Sequence, residues 1–174
     1  MQRWGVFLLA VCAFGAAGCG DDDNGPAAPS NQPLVFTATL AASNEVPAIT
    51  NAESAGTGDV TITITPTRDA SNAITGGTVA MAFTVRNLTP ATSITLAHIH
   101  SGAAGVNGPV VVNSNLSAAT AIPAAGGSAG FERSGLQADA ATINNIVGNP
   151  AAFYFNIHTA LNPGGVVRGQ LRAQ

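Results

Sequence analysis

At 174 residues the chain offers one ordinary domain with a surplus at one end. Only 9% of its residues are charged, Lys is absent and the formal net charge is −3, so there is no basic cluster to neutralise phosphates and nucleic-acid binding is excluded. The two cysteines, Cys12 and Cys19, both stand near the N-terminus, so no disulfide can staple the rest and its fold must rest on packing and sheet hydrogen bonds.

Residues 1–18 read as a removable leader: Arg3, then an apolar run from Trp4 to about Ala17. That run falls short of the ~20 apolar residues of a transmembrane helix and fits a secretory core. Ala16-Ala17-Gly18-Cys19 resembles the bacterial lipobox, which implies a lipidated Cys19 at the mature N-terminus and, as partner, a membrane reached through that lipid anchor. Residues 19–33 continue with three Asp and three Pro and no large apolar side chain, a composition that cannot offset its ordering entropy, so a disordered tether is expected. Gly20, where Asp would favour inner-membrane retention, makes the outer membrane of the cell envelope the favoured destination.

Residues 34–174 alternate in the period of half-buried strands. Leu34, Phe36, Ala38 and Leu40 share a face, as do Val60, Ile62 and Ile64, and then Val79, Met81, Phe83 and Val85. Further strands are predicted over 94–100, 110–113, 128–133, 153–159 and 166–172, with turns at Gly76-Gly77, Gly102 to Pro109, Gly126-Gly127 and Asn162-Pro163-Gly164-Gly165. One short connecting helix is predicted, capped by Ser134 with Gln137, presenting Leu136, Ala140, Ile143 and Val147 on one face and stopped at Gly148. The predicted fold is all-β, an antiparallel β-sandwich of Greek-key type like the immunoglobulin or superoxide dismutase sandwiches.

Two segments stand out. The first is Ala97-His98-Ile99-His100-Ser101-Gly102, continuing through Gly105 and Asn107-Gly108-Pro109; the second is Asn156-Ile157-His158-Thr159, continuing through Pro163-Gly164-Gly165 to Arg168-Gly169-Gln170-Leu171. Together they resemble the two signature blocks of the CHRD (chordin) domain family, and Phe36 to Pro47 resembles its opening strand. The resemblance implies a sandwich domain and marks Asn107, Gly108, Pro109, Asn156, Thr159, Arg168 and Gly169 as its structural motif. It implies no particular activity, so the leading reading is a non-catalytic binding or structural module.

All three histidines, His98, His100 and His158, fall inside these blocks. His-x-His on a strand places two imidazoles on one face, a spacing suited to chelation. Copper–zinc superoxide dismutases show a similar order of His-x-His strand, later strand His, Gly-rich turn and Arg-bearing final segment, although only three His exclude a dinuclear site. The alternative function is therefore a mononuclear copper site at His98, His100 and His158. The plainer reading has the histidines hydrogen-bonding loops, with Asn156, Thr159 and Asn107 as partners. Parity leaves the choice open, because His98 and His100 share a face with Ile94 and Leu96 unless a bulge intervenes. For Arg168, satisfying loop carbonyls is favoured over clamping a substrate, and the remaining acids look scattered.

Overall fold

The computed structural model describes residues 30–174; the leader, Cys19 and most of the expected tether lie outside them. Ten strands follow in order: β1 (Leu34–Ala41), β2 (Thr57–Arg68), β3 (Ile74–Arg86), β4 (Ser93–Ser101), β5 (Val110–Asn113), β6 (Ile122–Pro123), β7 (Ala129–Asp139), β8 (Phe153–Thr159), β9 (Val167–Gln170) and β10 (Arg172–Ala173). One helix, α1 (Ala140–Gly148), precedes β8. All strand pairings are antiparallel, in the order β5-β4-β8-β9-β1-β2-β3-β7, with β10 added to β1 and β6 to β4. The end strands β5 and β7 approach each other, so the sheet curls into a sandwich that is nearly a barrel. Pairing every interior strand and bringing the ends together leaves little exposed edge.

The alternating pattern fixes which face turns inward. Phe36, Ala38 and Leu40 from β1, Val60, Ile62 and Ile64 from β2, and Val79, Met81, Phe83 and Val85 from β3 are all buried. They meet Phe153, Phe155 and Ile157 of β8 across the core, where the Phe83 ring lies 5.7 Å from that of Phe155 and 5.6 Å from that of Phe131.

The helix begins later than the sequence suggests. Residues 129–139 are drawn into β7 by its pairing with β3, so Ser134 and Gln137 serve a strand rather than a cap. Asp139 caps α1 instead, its carboxylate accepting from the Thr142 amide at 2.7 Å. The shorter helix buries Ile143 and Ile146, while Val147 is exposed.

Candidate functional site

The site depends on one extra residue in β4. Ile94 lies opposite Thr159 of β8 and Leu96 opposite His158, so two steps along β4 match one along β8 and Thr95 is the unpaired residue of a bulge. Before the bulge Ile94 points into the core; after it Ala97 and Ile99 do. His98 and His100 are thereby turned to the outer face. On β8 plain alternation places Tyr154, Asn156 and His158 on that same face, opposite the core-facing Phe153, Phe155 and Ile157.

This outer face is covered. Every residue of β8 is buried, and His98, His100 and His158 are 6%, 9% and 6% exposed. Two loops form the roof. The loop of residues 102–109 is pressed onto β4 at Gly108, where a Cβ would stand 1.5 Å from the Ser101 carbonyl oxygen, and Pro109 accepts from the Ser101 amide. The loop of residues 160–166 closes over His158 with Gly165 at φ +131°, where a Cβ would lie 2.7 Å from both Asn156 Nδ2 and Glu45 Oε1.

The three imidazoles converge. His98 Nδ1 lies 3.1 Å from His158 Nε2, and one ring nitrogen from each histidine falls within 4.8 Å of the others. The loops set the tautomers: His100 Nδ1 donates to the Gly108 carbonyl and His158 Nδ1 to that of Pro163, both at 2.9 Å. With Nδ1 protonated, the Nε2 atoms of His100 and His158 present lone pairs. His158 Nε2 accepts from His98, whereas buried His100 Nε2 has no hydrogen-bond partner. Burial lowers all three pKa values, that of His98 to about 4 with the charges of His158 and His100 adding to the effect, so the cluster is neutral near pH 7.

Beside the histidines, Tyr154 stacks on the His100 ring at 4.8 Å between centroids and 7° between planes, and carries the Arg168 guanidinium 3.4 Å from its own centroid. Arg168 is 1% exposed and donates to the Ala103 and Val106 carbonyls and to Asn107 Oδ1. Asn107 in turn donates to the Val46 carbonyl, so the roof is tied to the segment after β1. Gly169 lies against β1, where a Cβ would meet the Thr39 carbonyl oxygen at 2.3 Å.

Two acids that look scattered along the chain are buried beside β8, Glu45 on this face and Glu53 at Thr159, which follows the core-facing alternation of Phe155 and Ile157. Glu45 is buried and its Oε1 has no partner; burial raises its pKa to about 7, with Arg168 and Asn156 pulling it back. Glu53 is fully buried, and its Oε2 accepts from Thr159 Oγ1 at 2.7 Å and Asn162 Nδ2 at 2.6 Å. Thr159 therefore partners Glu53 rather than a histidine. Glu45, Glu53, Tyr154 and Asn162 were missed as site residues. Glu45 sits in the opening segment of the CHRD resemblance, the single signal in the sequence that could have flagged it.

Chemically, this is a buried, neutral, nitrogen-rich cluster in which two of the three rings have their outer nitrogen fixed by a carbonyl, the form of support that orients histidines on a metal. An ion held by imidazoles at about 2.0–2.1 Å allows at most ~4.2 Å between two ligand nitrogens. A pair at the 4.8 Å limit would close by about 0.6 Å to reach a linear arrangement and by about 1.4 Å to reach a tetrahedral one. No curated protein and no solved structure matches the chain. Residues 36–171, from β1 through both histidine segments to the last core leucine, match the CHRD domain, and the chain belongs to the CHRD domain family.

Proposed function

We propose that this CHRD domain is a binding module whose ligand is a single transition-metal ion held by His98, His100 and His158, displayed at the bacterial cell envelope on a lipid anchor at Cys19. The observation that carries the metal reading is the convergence of three neutral imidazoles, two with Nδ1–H already given to loop carbonyls. Plain structural histidines would satisfy their second nitrogens as well, and His100 Nε2 is buried without a partner. Copper is preferred over zinc: imidazole suits both, and copper(II) stands higher in intrinsic affinity. The anchor rests on the lipobox-like Ala16-Ala17-Gly18-Cys19 and the acidic, Pro-rich stretch after it.

The test is metal analysis of the chain purified without a histidine tag, followed by titration with copper(II) and zinc(II). One equivalent should bind, copper more tightly, and His98→Ala, His100→Ala and His158→Ala should each abolish tight binding. Equal affinity in wild type and all three variants, together with a loss of metal-free stability in the variants, would leave the histidines as roof supports only. Separately, mass spectrometry of the native N-terminal peptide should find Cys19 acylated; an unmodified thiol in an intact leader would refute the anchor.

A further inference from the structure

We propose that Asn156 supplies the fourth ligand of this site through Oδ1, and that Glu45 is the positioning residue that aims the amide; the inference rests on the three-histidine reading above. In the sheet, Asn156 lies directly opposite His98 of β4 and two residues before His158, so it occupies the same outer patch as all three imidazoles. It is 3% exposed, and its Oδ1 has no hydrogen-bond partner. The amide stands beside the His100 ring on one side and beside the Glu45 carboxylate on the other, with Nδ2 and Glu45 Oε1 both crowding the space above Gly165.

Besides Glu45 Oε1, this arrangement leaves two buried acceptors unmatched. His100 has given its Nδ1 proton to Gly108, so its Nε2 offers a lone pair, and Asn156 Oδ1 offers another. Two acceptors side by side, shielded from water, call for a shared electrophile. A cation supplies one; it takes the place of the hydrogen that His98 Nδ1 directs at His158 Nε2, 3.1 Å away, and the neutral His98 ring carries its proton on Nε2 instead. Three nitrogens and one amide oxygen complete a four-coordinate set without a carboxylate or thiolate ligand. Asn156 Nδ2 lies beside the unpartnered Glu45 Oε1, and a carboxylate that accepts from Nδ2 once the ion binds would increase electron density on Oδ1 and fix its direction, as outer partners do for metal ligands generally. Arg168, next to Glu45, holds that carboxylate in place by charge.

Zinc(II), which is diamagnetic, is the probe. In the tag-free wild-type chain one equivalent should shift the Asn156 side-chain 1H–15N amide signals together with the ring signals of the three histidines. Cobalt(II) should give the intense visible bands of a four-coordinate ion. Asn156→Leu should weaken zinc binding about tenfold or more and change the cobalt spectrum. Asn156→Asp, which keeps an oxygen at the same place and adds charge, should bind more tightly than wild type. Glu45→Gln should keep the cobalt spectrum while weakening binding less than Asn156→Leu. Histidine signals that move while the Asn156 amide does not, with Asn156→Leu binding as wild type, would overturn the fourth ligand and leave the three-histidine site standing. No movement of the histidine signals in wild type would overturn that site and this inference with it.

Discussion

β2 and β8 turn the same kind of face to the core, Val60, Ile62 and Ile64 in one and Phe153, Phe155 and Ile157 in the other, and differ in what lies behind it. Behind β2 the outward residues are Asp59, Thr61, Thr63 and Thr65, at or near the surface, with Asp59 paired to Arg86 across the sheet and both half-exposed. The grooves there, of about 420 and 400 Å³ along β2, β3 and β7, are lined by threonines and alanines together with Asp59, Phe131, Glu132 and Arg133. Behind β8 the outward residues are Tyr154, Asn156 and His158, and two loops cover them. Water satisfies a threonine on an open face without further help. Under a roof each polar group must find a fixed partner, and those left without one become sites of unspent affinity. Covering one half of a sheet with loops is what turns an ordinary strand pattern into a place where chemistry can be held.

The largest test of this contrast removes what the two regions share. Phe155→Ala and Phe83→Ala take out rings that meet across the core, and each should cost roughly 3–5 kcal/mol in urea unfolding. A loss below about 1 kcal/mol at both would mean that the inward faces are misassigned. Next comes the roof. Arg168→Met withdraws hydrogen bonds from Ala103, Val106 and Asn107 and should cost about 1.5–3 kcal/mol, with faster amide exchange confined to residues 102–109 and no change in β2. Arg168→Lys should not restore it, since a point charge cannot span the same acceptors.

A pH titration of metal-free stability separates the covered groups from one another. His98, lowered to about 4 from 6.5 by burial, contributes stability that is complete above 6.5 and is lost as pH falls toward 4. Glu45, raised to about 7 from 4.5 by burial, contributes stability that is complete below 4.5 and is lost as pH rises through 7. The two slopes oppose each other between 4.5 and 6.5. Glu45→Gln should remove its falling slope between 4.5 and 7, so that stability rises more steeply with pH from 4.5 to 6.5 than in wild type; an unchanged profile in that variant would show that Glu45 does not contribute. The smallest effect belongs to the open face, where Thr61→Ala should stay within about 0.5 kcal/mol of wild type.

The strands were legible in the sequence because a two-residue period survives any three-dimensional setting that covers one face, and β1, β2 and β3 are of that kind. The helix start was not. Ser134-Gly135-Leu136-Gln137 has the composition of a cap, but Gly135 adopts φ +72° in the middle of β7 and the chain keeps pairing with β3 until Asp139. Tertiary pairing overrode a local signal there. At the site, the His-x-His spacing and its later companion picked out the three rings that the fold brings together. The face they occupy was undecidable, because nothing in Ile94-Thr95-Leu96 announces that Thr95 falls out of register. Glu53 was out of reach for a different reason: it stands far from β8 in the chain, and only folding brings it to Thr159.

Thr95 also makes the site a matter of counting. Core and cluster are read from one strand, on alternate residues, and the single supernumerary residue sets the phase between them. Any one-for-one replacement at Thr95 keeps the count, and the imidazoles stay outside. Deleting it would reverse the phase of everything from Leu96 to His100, sending two imidazoles into the oily interior and bringing Ala97 and Ile99 out beneath the loops. The position is thus tolerant of chemistry and intolerant of length, so that a one-codon deletion there would do more harm than the loss of any ring it leaves in place.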